Sequence, residues 1–143
     1  MSRYADRIAE LHREASRDRA AFEPPADPPA EAEAMRYLRE GFGEAVAVYL
    51  DARTGGPPVR FGTEEFDRLE TAMNTWLSLY AGCHGVDIDA DVTVRTAAEV
   101  LIDTHDVGQT AAVLTHVPER GSARGRESVS DGQSRSAPAS TDG

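Results

Sequence analysis

The sequence predicts an all-α fold, a compact bundle of four to five helices with a disordered C-terminal tail, on three observations. Across residues 63–82, TEEFDRLETAMNTWLSLYAG, the apolar residues Phe66, Leu69, Met73, Trp76 and Tyr80 step by three and four, so they share one helical face. Shorter stripes of the same period recur at 2–21, 28–50 and 93–117. The single run with strand-like alternation, residues 86–94, has no credible partner to pair with.

Residues 1–22 hold the first helix, with Tyr4, Ile8, Leu11 and Ala15 forming its stripe and Ser2 available as its cap. That stripe is narrow, which predicts a peripheral position. His12 sits among the charged residues of the opposite face and is read as a solvated surface histidine. Residues 23–29, EPPADPP, break the helix, since prolines remove donors and hold their predecessors extended. Pro25 to Pro28 has the PxxP spacing of a polyproline ligand, but a stiff spacer is the preferred reading.

The bundle core is assigned to residues 30–118. Its first helix is expected from Pro28 to Leu50, capped by Asp27, with Met35, Leu38, Phe42, Ala45 and Tyr49 as the stripe. Gly41 and Gly43 should each cost about 1 kcal/mol inside a helix, and close approach of a neighbouring helix is the expected reason for them. GFGEAV is a poor dinucleotide fingerprint because Val46 replaces the third glycine. Residues 51–62 form a turn-rich connector, with Phe61 tucked beneath the core.

The central helix follows, with Thr63 as N-cap, Glu64 and Glu65 at the positive end of the dipole and Gly82 as its stop. In residues 86–94, Val86, Ile88, Ala90, Val92 and Val94 alternate with polar residues. Asp is disfavoured in strands and the only candidate partner, Val59 to Phe61, is short, so the stretch is assigned as an extended loop leading into a helix. A helix should then run from Asp91 or Thr93 to Thr104 and bury Val94, Ala97, Ala98, Leu101 and Ile102. Asp106 and Gln109 have capping-box spacing at the start of a last helix ending near Val117, with Val107, Ala111 and Leu114 on its face. Residues 119–143 hold Val129 as their only large apolar group, so they are expected to be disordered.

Composition bounds the function. The formal charge is −10 over 143 residues, and it belongs to the body, because the four Arg of residues 119–143 match four acidic groups. Such a body repels phosphates and anionic lipid, so nucleic acid is an improbable partner and a membrane is not expected. Every basic residue is Arg. Without Lys there is no P-loop lysine, Schiff base or pyridoxal-phosphate anchor, and no cofactor is expected. Excess carboxylate without Lys points to a GC-rich genome and a salty cytoplasm, hence a halophilic archaeal source. A lone cysteine fits a reducing compartment, a charged N-terminus is unlike a signal peptide, and the longest apolar run, 45–50, is far too short to cross a bilayer. A cytoplasmic location is expected.

Four residues are candidate metal ligands: Cys83, His84, His105 and His116. They match no compact zinc spacing, and helix-terminal side chains satisfied by nearby carbonyls are the simpler expectation. Cys83 with His105 or His116 as base and Asp106 as orienter is a thiol-enzyme alternative on residue types. Asp87, Asp89 and Asp91 copy the first ligands of an EF-hand, but Val92 and Ala98 replace the essential Gly and Glu, and a helix cap is the expected role. The 93–117 hairpin has a helix-turn-helix outline, which makes a small DNA-associated regulator the second functional reading, although its second helix has no Arg. The preferred reading is a non-enzymatic protein-interaction or regulatory module, able to pair with a protein partner or with itself. Residues 75–118, especially LYAGCHGVDID and VRTAAEVLIDTHDV, resemble a family of small uncharacterised acidic proteins of halophilic archaea, a domain of unknown function. The resemblance implies a source and no activity.

Overall fold

A computed structural model describes residues 3–55 and 60–117. Within them the chain forms α1 (Ala5–Ala21), α2 (Glu31–Tyr37), a π-helical turn (Leu38–Phe42), α3 (Gly43–Thr54), α4 (Thr63–Cys83), α5 (Val94–Thr104) and α6 (Val107–Thr115). The π turn joins α2 and α3 into one rod, so the described residues make five helices and no strand. The expected Ser2 cap, part of the connector at 56–59 and the expected disordered tail lie outside the described residues.

The stripe on α4 is buried as its spacing requires: Leu69, Met73, Trp76, Leu77 and Tyr80 all lose their water. Trp76 also needs a partner for its indole N–H. Asp18 of α1 supplies one, accepting at 2.9 Å, and Arg36 of α2 sits 3.6 Å from the same carboxylate. Helix α1 is therefore not peripheral. Ile8, Leu11 and Ala15 are buried against the core, because a narrow stripe of well-placed residues fills a groove as completely as a broad one.

The second rod departs from expectation at both ends. It starts at Glu31 after an Ala30 cap and runs on to Thr54. Asp27 and Pro28 cannot begin it, since each precedes a proline and is pushed out of the helical region. Between its halves Gly43 donates to the Leu38 carbonyl five residues back, and this wider turn leaves Leu38, Gly41 and Phe42 all buried. Close packing does account for Gly41: a Cβ there would stand 2.3 Å from Trp76 Cδ2.

The N-cap of the central helix falls one residue before the expected place and its stop three residues after. Gly62 is its N-cap, and Glu65 reaches back to the Gly62 N–H at 2.8 Å. Gly82 does not stop it; Gly82 leaves room for Phe22, whose ring would lie 2.7 Å from an added Cβ. The stop is Gly85, at φ +79, where Val86 N–H returns to Ala81 O and Gly85 N–H to Gly82 O in a Schellman turn. Thr93 caps α5 through Thr96 N–H and Asp106 caps α6 through Gln109 N–H. Ile102, expected inside, is 56 % exposed, and Val113 on α6 is 54 % exposed.

Replacing Gly41 by Ala drives a methyl into a fixed indole and should destabilise the fold by about 2–3 kcal/mol. Gly62→Ala, where the nearest atom is the Glu65 carboxylate at 3.6 Å, serves as the tolerated comparison. Urea unfolding of both variants checks this, and an unchanged midpoint for G41A contradicts it.

Candidate functional site: a groove beside a lone extended segment

Residues 86–93 have no sheet to join, so their backbone polar groups must find other partners. The polar side chains of α4 provide them. Ser78 accepts from Ala90 N–H at 2.9 Å, Asn74 accepts from Val92 N–H at 2.8 Å while donating to Val92 O at 2.9 Å, and Glu70 accepts from Val94 N–H at 2.8 Å. Two spacings make this ladder possible. Four residues of helix advance about 6 Å and two residues of extended chain about 6.6 Å, so every fourth side chain on α4 meets every second N–H of the antiparallel segment.

In an extended chain, alternate residues turn their backbone groups to opposite edges. The edge bearing residues 90, 92 and 94 is spent on α4. Among the described residues, the backbones of Asp87, Asp89 and Asp91 on the other edge make no hydrogen bond. Their side chains are exposed, while Ile88, Ala90 and Val92 pack partly onto the core. They do not cap α5, as expected for them; Thr93 does.

Alongside lies a groove of about 710 Å³, walled by this segment, by α4 and by the end of α1. Among the described residues, Asp67, Glu70, Asp87, Asp89 and Asp91 line it against a single cation, Arg19, and Phe22, Leu79 and Ile88 give it apolar patches. Carboxylates on several sides of a concave surface focus negative potential into it.

The candidate metal and thiol residues are placed elsewhere and apart in role. Cys83 is buried at the end of α4, where its carbonyl accepts from Ala30 N–H at 2.8 Å. His84 Nδ1 lies 3.0 Å from the Tyr80 carbonyl, with its ring against Tyr80. His105 and His116 end α5 and α6 in left-handed conformations, φ 56 and φ 61, a backbone role usually given to Gly or Asn. Among the described residues no three of His, Cys, Asp or Glu form a group that could hold a metal ion.

Burial pushes the Cys83 thiol from its ordinary 9.0 up to about 11, with Glu33 adding to the rise and Arg36 opposing it. A thiol so protonated is a poor nucleophile at neutral pH. Burial, aided by Glu33, also pushes the Tyr37 phenol from 10.0 up to about 12. Sequence reasoning missed Glu70, Asn74 and Ser78 as a set. Their signal is a polar line at i, i+4, i+8 along an otherwise apolar helix, followed by a period-two run.

A family model described as a domain of unknown function, DUF8055, matches residues 2–119. The chain belongs to the DUF8055 family. No curated protein and no solved structure matches it. The match takes in α1 and both long rods, so the DUF8055 domain contains the entire groove, well beyond residues 75–118 on which the resemblance was visible.

Cys83 and Tyr37 hold their protons more tightly folded than unfolded. The stability linked to them is complete below about pH 9 and is lost as pH rises through about 11 and about 12. The unfolding midpoint should therefore fall steadily above pH 9, less steeply in Cys83→Ala, as followed by far-UV circular dichroism. Equal slopes for C83A and the parent chain would contradict it.

Proposed function

We propose that this DUF8055 protein is a non-enzymatic interaction module that docks an extended, Arg- or Lys-bearing segment of a partner protein along residues 86–93, on the edge turned away from α4 at the rim of the acidic groove. One observation carries the reading: a backbone edge at Asp87, Asp89 and Asp91 that has no partner among the described residues, beside an acid-lined groove. A strand added to that edge gains main-chain hydrogen bonds, and cations at every second position meet the three carboxylates.

Composition supports a halophilic archaeal source and a cytoplasmic setting. The salt of such a cytoplasm shortens electrostatic range to a few ångströms. Long-range attraction is then of little use, and recognition has to rest on contact ion pairs, backbone bonds and buried apolar surface, all of which this groove offers. No helix among the described residues is long and apolar enough to cross a membrane.

Self-association is the second reading, favoured by exposed Ile102 and Val113 on the α5–α6 hairpin. The same exposure weighs against the hairpin as a DNA reader, since apolar side chains and an Arg-free α6 offer nothing to phosphates. A thiol or metal enzyme has the least support, given the buried, proton-bound Cys83.

The test uses hydrogen exchange of the full chain with two synthetic peptides of one composition, Arg-Val-Arg-Val-Arg-Val and Arg-Arg-Arg-Val-Val-Val. The alternating peptide should slow exchange at the Asp87, Asp89 and Asp91 amides by about tenfold or more, and the blocked one should not. Equal effects would reduce the groove to a charge trap, and no effect from either would remove the reading. For the source, far-UV circular dichroism should show helix lost on transfer from molar salt to dilute buffer, and an unchanged spectrum contradicts it.

A further inference from the structure

Where α3 ends and α4 and α5 begin, a second cleft of about 330 Å³ is lined by Tyr49, Phe61, Phe66, Arg53, Arg60 and Arg95. We infer that this cleft binds a small anion carrying a flat ring, of the class of a nucleoside monophosphate. The site is separate from the acidic groove and does not depend on it.

Its three guanidiniums come from three places: the last turn of α3, the approach to α4 and the first turn of α5. In a chain with 25 acidic residues, three Arg facing one hollow call for an explanation. The carboxylates nearby are engaged in other contacts. Asp51 accepts the Tyr4 hydroxyl at 2.6 Å, Glu65 closes the Gly62 cap, and Glu64 lies 3.7 Å from Arg68. Glu99 meets Arg95 at 3.4 Å, but both side chains are mostly in water, and such a contact is weak and easily exchanged. Among the described residues no carboxylate forms an ion pair with Arg53 or Arg60.

One further feature favours an anion with a ring. Helix ends of both signs meet at the cleft, the last turn of α3 and the first turns of α4 and α5, so the lining side chains decide what it takes. The floor is aromatic: the Phe61 and Phe66 rings stand 6.4 Å apart, and the Arg53 guanidinium lies 5.8 Å from the centre of the Tyr49 ring. Guanidiniums clamp a phosphate or carboxylate through paired N–H donors, and the accessible part of half-buried rings such as Tyr49, Phe61 and Phe66 can stack on a planar base. The volume lies at the small end of the range for small-molecule sites.

The test titrates the full chain with adenosine monophosphate and, separately, with inorganic phosphate, following the backbone amides of Phe61, Phe66 and Arg95 by NMR. Saturable shifts with a dissociation constant of about 1 mM or tighter are expected for the nucleotide, with phosphate alone at least about tenfold weaker. The doubly substituted R53Q/R60Q chain, whose altered positions are exposed, should keep the near-UV signal of Trp76 and weaken nucleotide binding by about tenfold or more. Absence of saturable shifts, or equal binding by R53Q/R60Q, overturns the site. Phosphate binding as tightly as the nucleotide overturns the role given to the rings.

Discussion

A length of extended chain with no neighbouring strand has to satisfy its backbone somewhere, and in this protein the central helix meets that requirement. Helix α4 works on two sides. One face buries Trp76 and its neighbours against α1 and the α2–α3 rod; another presents Glu70, Asn74 and Ser78 to the 86–94 segment. Both depend on the same rise per residue, so the core and the groove are set by one rigid rod. Sites built on such rods hold their geometry better than sites on loops alone.

The all-helical class, the core helix and the loop between α4 and α5 were legible in the sequence because each rests on local periodicity. Phe66, Leu69, Met73 and Trp76 need no knowledge of their partners to announce a face. The loop was legible by elimination, since alternation without a second strand cannot make a sheet. What could not be read was the other half of each contact. Gly82 looks like a stop from its own position, but its reason is Phe22, sixty residues earlier in the chain. Ile102 has the spacing of a buried residue, and no element among the described residues covers it. The breadth of a stripe, too, proved a poor guide to depth, as α1 shows with Ile8 and Leu11 fully enclosed.

The site residues divide along the same line. Cys83, His84, His105 and His116 drew notice as chemistry-bearing types, and the structure gives them conformational work at helix ends. Two histidines in the left-handed region stand where Gly is the usual choice, a small tension tolerated because each ends its helix in one step. The groove is made of residues whose types are ordinary and whose spacing only matters once two elements are set side by side.

The pairing of α1 with α4 has a consequence during synthesis. The hydrogen bond from Trp76 to Asp18 joins residues 58 apart, so the helix that covers most of the α1 stripe is made well after it. At usual elongation rates the wait is on the order of 3–12 s. For that interval Ile8 and Leu11 lack the α4 surface that encloses them, and the charged residues on the opposite side of the same helix, Arg7 and Glu10 among them, are the kind that oppose association.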